Sequence, residues 1–292
     1  MVAIEPEVGG FRVEVIGGDS FIAIEVEPGV TLEVVGYRGE PYLRFHPDGR
    51  VEENRTSPTT YLNIDRYGIA DIPATASADA APDWVTVATA GSYAWHDHRA
   101  HWMNTADPPG RDPGDVILEG VVPLLVDGAE VDVAVISTWV PSPSTAAPLA
   151  GMAAGLLTVV AAALTRARLR TLALLLLATA LPAAVLGVVA VLSVPPETGP
   201  SWTLWVPPLI AVVLGRTATA GRLAGPLDRW SAAAGLIGSL TLVIWGYVHQ
   251  EWMWRAVLPT VAPFWLERAV TAAALAGGVG LVALIGRMQA RG

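Results

Sequence analysis

The sequence predicts an amino-terminal all-β sandwich-like domain followed by an α-helical membrane domain of five transmembrane helices. Three observations carry this. Hydrophobic residues make up 52% of the 292 residues and charged ones only 15%, against about a quarter in an ordinary soluble domain. The charge is split: residues 1–145 hold 23 acids and 8 Arg, whereas residues 146–292 hold 4 acids and 10 Arg. The first part alternates apolar and polar residues in short runs, and the second contains long uncharged stretches. Together these exclude a disordered chain and a purely soluble globule.

Within residues 1–140 the runs Phe11–Ile16, Phe21–Val26, Thr31–Val35, Tyr42–Phe45, Trp84–Ala88 and Val131–Ile136 have the period of two expected of half-buried strands. Gly17-Gly18-Asp19, Pro28-Gly29, Pro47-Asp48-Gly49 and Asp127-Gly128 separate them as turns. No helix is expected in this part. Asn54–Asp83 and Asn104–Asp115 read as long loops. The run Tyr61–Tyr67 reads as a loop over the sandwich edge or as the lining of a carbohydrate or peptide groove. Asn54-Arg55-Thr56 matches a glycosylation acceptor, a three-residue pattern that recurs by chance.

Pro141-Ser142-Pro143-Ser144 reads as a linker, placed at 141–145. Beyond it, Ala146–Thr165, Thr171–Pro196, Ser201–Gly215, Ser231–Gln250 and Ala269–Gly286 are free of charge. Crossing a bilayer takes about 20 apolar residues, so five spans are expected, at about 146–165, 171–194, 201–216, 231–249 and 268–286. The third is short and broken by Pro207-Pro208. Pro182 is expected to kink the second. Gly151 and Gly155 have the GxxxG spacing that permits close helix packing, and Gly277, Gly278 and Gly280 read the same way.

Arg166, Arg168, Arg170, Arg216, Arg222, Arg229, Arg287 and Arg291 fall on one side of these spans, expected to be the cytoplasm. Trp139, Trp202, Trp205, Trp252, Trp254 and Trp265 fall on the other, as an interfacial belt would. The carboxyl terminus is then cytoplasmic and the acidic domain lies outside the plasma membrane. Met1–Glu7 lacks the basic and apolar parts of an export signal, so an export segment missing from this chain is expected. The rival is a cytoplasmic domain with inverted Arg loops. The uncharged spans argue against a pump or secondary transporter, which needs intramembrane ionisable residues.

The net charge of −9 argues against nucleic acid as a partner. With no Cys in the chain, any metal site must use His, Met and carboxylate. Three of the five His lie in Tyr93-Ala94-Trp95-His96-Asp97-His98-Arg99-Ala100-His101-Trp102-Met103. In a strand His96 and His98 share one face, with His101 and Met103 on the other. A bend near Arg99 would gather all four. Imidazole and thioether together suit copper. His46 is a further candidate ligand.

The same segment also reads as a hydrogen-bonded docking surface, with Trp95 and Trp102 as interfacial anchors. A catalytic facial site is the third reading, but a strand turns Asp97 away from its two His neighbours. No nucleophile–base pair or phosphate loop is present, so no enzyme is expected. In the helical part, His249 and Met253 share a face if helical, and Trp252, Trp254 and Trp265 favour an interfacial segment. These two residues are candidates for a joint metal relay with the His-rich segment.

Tyr42-Leu43-Arg44, Val51-Glu52-Glu53-Asn54, Ser57-Pro58 and the Trp95-His96-Asp97-His98-Arg99 run with His101-Trp102-Met103 carry a family resemblance. The chain resembles uncharacterised multi-pass membrane proteins of high-GC Gram-positive bacteria with an extracytoplasmic domain. The resemblance covers the outer domain and its join to the first helix. It implies secretion through an amino-terminal signal and supplies no activity. The expected function is therefore extracytoplasmic handling of a metal, copper favoured, beside the lipid bilayer. The alternative is an envelope receptor or assembly scaffold that binds a protein or cell-wall ligand.

Overall fold

The structure, a computed structural model, describes residues 2–18, 21–64, 68–104, 106, 108–164, 169–196, 202–220 and 229–289. Asp65–Tyr67, Arg166, Arg168, Arg222 and Arg291, used in the groove and orientation arguments, lie outside the described residues. The chain divides into two compact units, Met1–Pro141 and Ser142–Gly292.

The first unit contains β1 (Val2–Glu5), β2 (Phe11–Ile16), β3 (Phe21–Val26), β4 (Leu32–Val35), β5 (Pro41–Phe45), β6 (Val51–Asn54), a short helix α1 (Pro58–Leu62), β7 (Trp84–Ala88), β8 (Ser92–His96), β9 (Val116–Val126) and β10 (Ala129–Thr138). All pairings are antiparallel. One sheet has the order β1-β10-β9-β4-β5-β6-β7, and the other has β2-β3-β8. Alternation puts Ile22, Ile24 and Val26 of the small sheet into one core with Leu32, Val34, Val122, Leu124, Val131 and Val133 of the large one. A core shared by two sheets makes the unit sandwich-like. The β9–β10 hairpin turns at Asp127-Gly128, both at positive φ, the backbone that a tight hairpin requires. Asp127 Oδ1 also accepts hydrogen bonds from the Thr31 amide and hydroxyl, at 2.9 and 2.8 Å.

The absence of a helix here is corrected by α1. Ser57 is its N-cap and Pro58 its first residue, an arrangement that satisfies or removes orphan amides. The buried Glu40 carboxylate accepts the hydroxyls of Ser57 and Thr59, each at 2.7 Å, and so anchors the helix.

The second unit contains α2 (Ala146–Leu164), α3 (Leu169–Leu192), α4 (Trp202–Ala220), α5 (Arg229–Val248), a 3-10 turn at Gln250–Met253 and α6 (Phe264–Gln289). Four stretches are long and apolar enough to cross a membrane: Ala146–Leu164, Thr171–Leu192, Trp230–Val248 and Phe264–Gln289. The third of the five expected spans, α4, is not among them. It carries Pro207 and Pro208 internally, and Arg216, Thr217 and Thr219 lie in its last turns. Large apolar residues such as Leu157, Leu164, Leu181, Val185 and Ile237 face outward. That distribution suits a lipid solvent, since a water-soluble bundle buries such side chains.

Helix α6 packs against α2, α3 and α5. The small-residue reading is realised at α2 and α6. A Cβ on Gly151 would lie 2.0 Å from the Ala269 carbonyl oxygen, and one on Gly155 2.7 Å from that of Ala273. Trp245 of α5 is buried and donates its indole N–H to the Leu204 carbonyl of α4 at 2.8 Å. The expectation that acids and bases stay out of the spans needs correction. Glu267 and Arg268 belong to the first turns of α6, and both are buried.

Candidate functional site

Strand β8 delivers the His-rich segment. Its register against β3 sets Trp95 opposite Ile22 and His96 opposite Phe21. Trp95 enters the core edge-on to Tyr42, with ring centroids 6.3 Å apart. It is therefore a core residue and not an interfacial anchor, because β8 belongs to the inner small sheet. After His96 the chain turns, and the Asp97 carbonyl accepts the Ala100 amide at 3.0 Å.

The Asp97 side chain points inward and is fully buried. It accepts from the Trp95 indole at 2.9 Å, the Arg99 amide at 3.0 Å, and Arg99 Nε and NH2 at 2.9 and 2.8 Å. Burial alone would raise its pKa. The Arg99 hydrogen bonds and charge, with the Trp95 hydrogen bond, outweigh that and hold it below the usual carboxylate range. Arg99 also donates to the Val35 carbonyl at 3.0 Å and lies 4.7 Å over the Tyr37 ring. Burial, then the Asp97 charge, push the Tyr37 phenol up.

Tyr37 ties α1 to the histidines. Its amide donates to Thr59 Oγ1 at 2.8 Å, and its ring stacks on His98 at 5.9 Å. Its hydroxyl accepts the His98 amide at 2.9 Å. From the large sheet, Ser137 donates to the Ala100 carbonyl at 3.1 Å. Gly120 of β9 meets the turn directly: a Cβ there would lie 1.8 Å from the Arg99 carbonyl oxygen. Gly120 and Tyr37 escaped the sequence reading because neither is near the segment in the chain.

The turn brings His101 back onto His96, with the two Nε2 atoms 2.6 Å apart. Ring centroids are 4.7 Å apart for His96–His101, 5.1 Å for His96–His98 and 5.9 Å for His98–His101. His101 Nδ1 lies 3.1 Å from the Trp102 carbonyl. A carbonyl only accepts, so that nitrogen carries the proton and Nε2 keeps its lone pair. His96 Nε2–H is then the donor in the contact between the two rings. Met103 is partly exposed. A Cβ on Gly68 would lie 3.7 Å from His98 Nδ1 and 3.6 Å from Met103 Cε, so both side chains border that residue. Among the described residues, no group of three or more His, Asp or Glu is arranged as a ready metal site.

His46 is engaged elsewhere. It lies 2.7 Å from Glu52, which also accepts Arg44 Nε at 3.0 Å and pairs with Arg50. Burial opposes ionisation of Glu52, but the hydrogen bonds of Arg44 and His46 and the charges of Arg44 and Arg50 prevail, holding it at about 2. Its neighbour Glu53 faces the opposite balance. Burial pushes it up to about 7 against the pull of Arg55. The folded state therefore holds this proton more tightly than the unfolded one. The stabilisation is complete below an ordinary Glu pKa of about 4.3 and is lost as pH rises through about 7. Glu53→Gln should remove up to about 3 kcal/mol of that pH dependence, read from urea unfolding of the full-length protein across this range.

In the second unit, His249 donates Nδ1–H to the Trp245 carbonyl at 2.8 Å and packs between Trp245 and Trp252. Met253, four positions on, is also buried, and Trp252 belongs to a small core with Leu258. Trp254 and Trp265 are exposed, as an interfacial role requires. Trp102 is half-buried and donates to the Ala106 carbonyl at 3.1 Å.

Fold and site together define a β-sandwich-like unit with a convergent His cluster, followed by a helical unit with four membrane-length apolar helices. Comparison with protein-family models, curated proteins and solved structures gives no match.

Proposed function

We propose that the β unit binds one transition-metal ion, copper favoured, through His96, His98 and His101, with Met103 at the edge, and hands it to a membrane partner. The single observation that supports this is the spacing of the three rings. Imidazoles bound to one ion at about 2.0–2.1 Å set their ring centroids roughly 5 Å apart. The His101 Nδ1–H bond to a carbonyl is the outer contact that orients a ligating imidazole. The ion takes the place of the proton between the two Nε2 atoms, which His96 then carries on Nδ1, so both imidazoles ligate in their neutral form. An imidazole set with a thioether beside it suits copper better than a hard cation. His98 must turn to complete the set, and Met103 is the one ligand that distinguishes Cu(I).

The proposed topology keeps five crossings, with α4 as the short one. It sets the β unit outside the plasma membrane and the carboxyl terminus in the cytoplasm. His249 and Met253 remain candidate ligands within the helical unit. Membership of the high-GC Gram-positive membrane family remains part of this proposal. A second reading, an envelope receptor, draws on a cleft of about 760 Å³ lined by Phe11, Arg12, Glu25, Glu27 and Asp48. Gly91 borders it at the start of β8, at the other end of that strand from His96.

The test is competition between purified full-length protein and a Cu(I) chelator. The expected result is a one-to-one complex that disappears in the His96→Ala/His98→Ala/His101→Ala variant. Equal Cu(I) retention by both proteins overturns the metal reading.

A further inference from the structure

Glu267 lies in the first turns of α6 and is fully buried. One carboxylate oxygen accepts the Thr260 hydroxyl at 3.1 Å. The other, Oε2, has no hydrogen-bond partner among the described residues. Thr271 follows one turn later on the same face of the helix. It too is fully buried, and its hydroxyl has no partner among the described residues. That is unusual for this unit. The hydroxyls of Thr158, Thr179, Ser239 and Thr241 all donate back to carbonyls three or four residues earlier, the ordinary solution for a helix. Thr271 forgoes that bond.

Two buried polar groups one helical turn apart, both without partners among the described residues, call for a third species between them. Charge decides which. Among the described residues, no ion pair joins Glu267 to a cation. Arg268 turns to the Arg255 and Ala256 carbonyls, at 2.7 and 3.1 Å, and stands over the Phe264 ring. It thereby occupies carbonyl oxygens that a metal cation in this position would need. Among the described residues, the other ionisable groups at this end of the elements packed against α6 are the exposed Tyr247, with His249, Glu251 and Arg255. His249 is bound to the Trp245 carbonyl, and Glu251 and Arg255 are exposed. An unpaired carboxylate at this depth would carry a desolvation cost of several kcal/mol. A proton removes that cost and turns Oε2 into a donor, for which the Thr271 hydroxyl, one turn along the same face, is the acceptor through a bridging water.

We propose that Glu267, Thr271 and Thr260 form a buried proton-binding site in the helical unit, hydrated and able to load and release a proton. The site is independent of the histidine cluster. It supplies the intramembrane ionisable group that the sequence lacks at the centres of its apolar runs. Proton loading balances without a co-reactant: one proton enters from water and one carboxylate becomes a carboxylic acid.

Infrared difference spectroscopy of the full-length protein in lipid bilayers tests this across a pH series. The expected spectrum has a protonated-carboxyl C=O band at neutral pH that is lost on alkalinisation and absent from Glu267→Gln. Thr271→Val, close in shape, should shift that band to higher frequency by removing its hydrogen-bond acceptor. Identical carboxyl regions in wild type and Glu267→Gln at every pH would overturn the proposal. So would a band that Thr271→Val leaves unmoved. An alkali-cation site is the rival outcome, read as a sodium-dependent loss of the band at constant pH, and it too overturns the assignment.

Discussion

Replacing Asp97 by Ala should loosen the histidine turn more than any other single change in the β unit. Asp97 gathers the Trp95 indole, the Arg99 amide and two guanidinium nitrogens around one fully buried carboxylate. The pair is more important broken than made. Its formation barely offsets the desolvation of two charges, but removal of one partner leaves the largely buried Arg99 uncompensated, at a cost of about 3–5 kcal/mol. Trp95 loses its hydrogen bond at the same time. The expected reading is hydrogen exchange of the full-length protein. Peptides covering β8 and the turn should lose protection by that amount, while peptides from α2 and α6 are unchanged. Exchange in β8 equal to wild type would show that the carboxylate does not hold the turn. Asp97→Asn, which keeps the shape but removes the charge, should lie between the two.

The second large effect is on metal affinity. His101→Ala should lower Cu(I) affinity by more than about 100-fold, because even outer contacts to a ligand are worth about 10–100-fold. His101 is also the most buried of the three, and its Nδ1 is already fixed by the Trp102 carbonyl. His46→Ala is the matched control. His46 serves Glu52 between Arg44 and Arg50, so its removal should leave Cu(I) affinity within about twofold. Equal losses in the two variants would mean that the effect comes from general destabilisation.

Much of the β unit could be read in the sequence where alternation was clean. Phe21–Val26 buries every second residue, as its pattern implies. Other strands lacked the signal. Val51-Glu52-Glu53-Asn54 sets two acids side by side, and only the Arg44–Arg50 cluster makes Glu52 tolerable at an inner position. Strand β9 contains Pro123, which faces Asp132 in the ladder, and proline ordinarily argues against a strand interior. Strand β8 carries Trp95 and His96 as consecutive buried residues, a pattern that resembles an interface motif until the register with β3 is known. The gathering of His96 and His101 depended on a turn built by Asp97, Arg99 and the absent side chain at Gly120. No local pattern announces the contact of Arg99 with Gly120, so far along the chain. The membrane half was legible from uncharged length, except at its edges. The last span was expected from about 268, whereas α6 begins at Phe264 and takes in Glu267.

Metal handling by the β unit requires three imidazoles to converge on a single ion. X-ray absorption on full-length protein loaded with one equivalent of Cu(I) measures that most directly. The predicted result is a nitrogen shell at roughly 2 Å with the outer scattering of three imidazoles, lost in the His96→Ala/His98→Ala/His101→Ala variant. A spectrum without imidazole scattering, or one unchanged by that triple substitution, would contradict it.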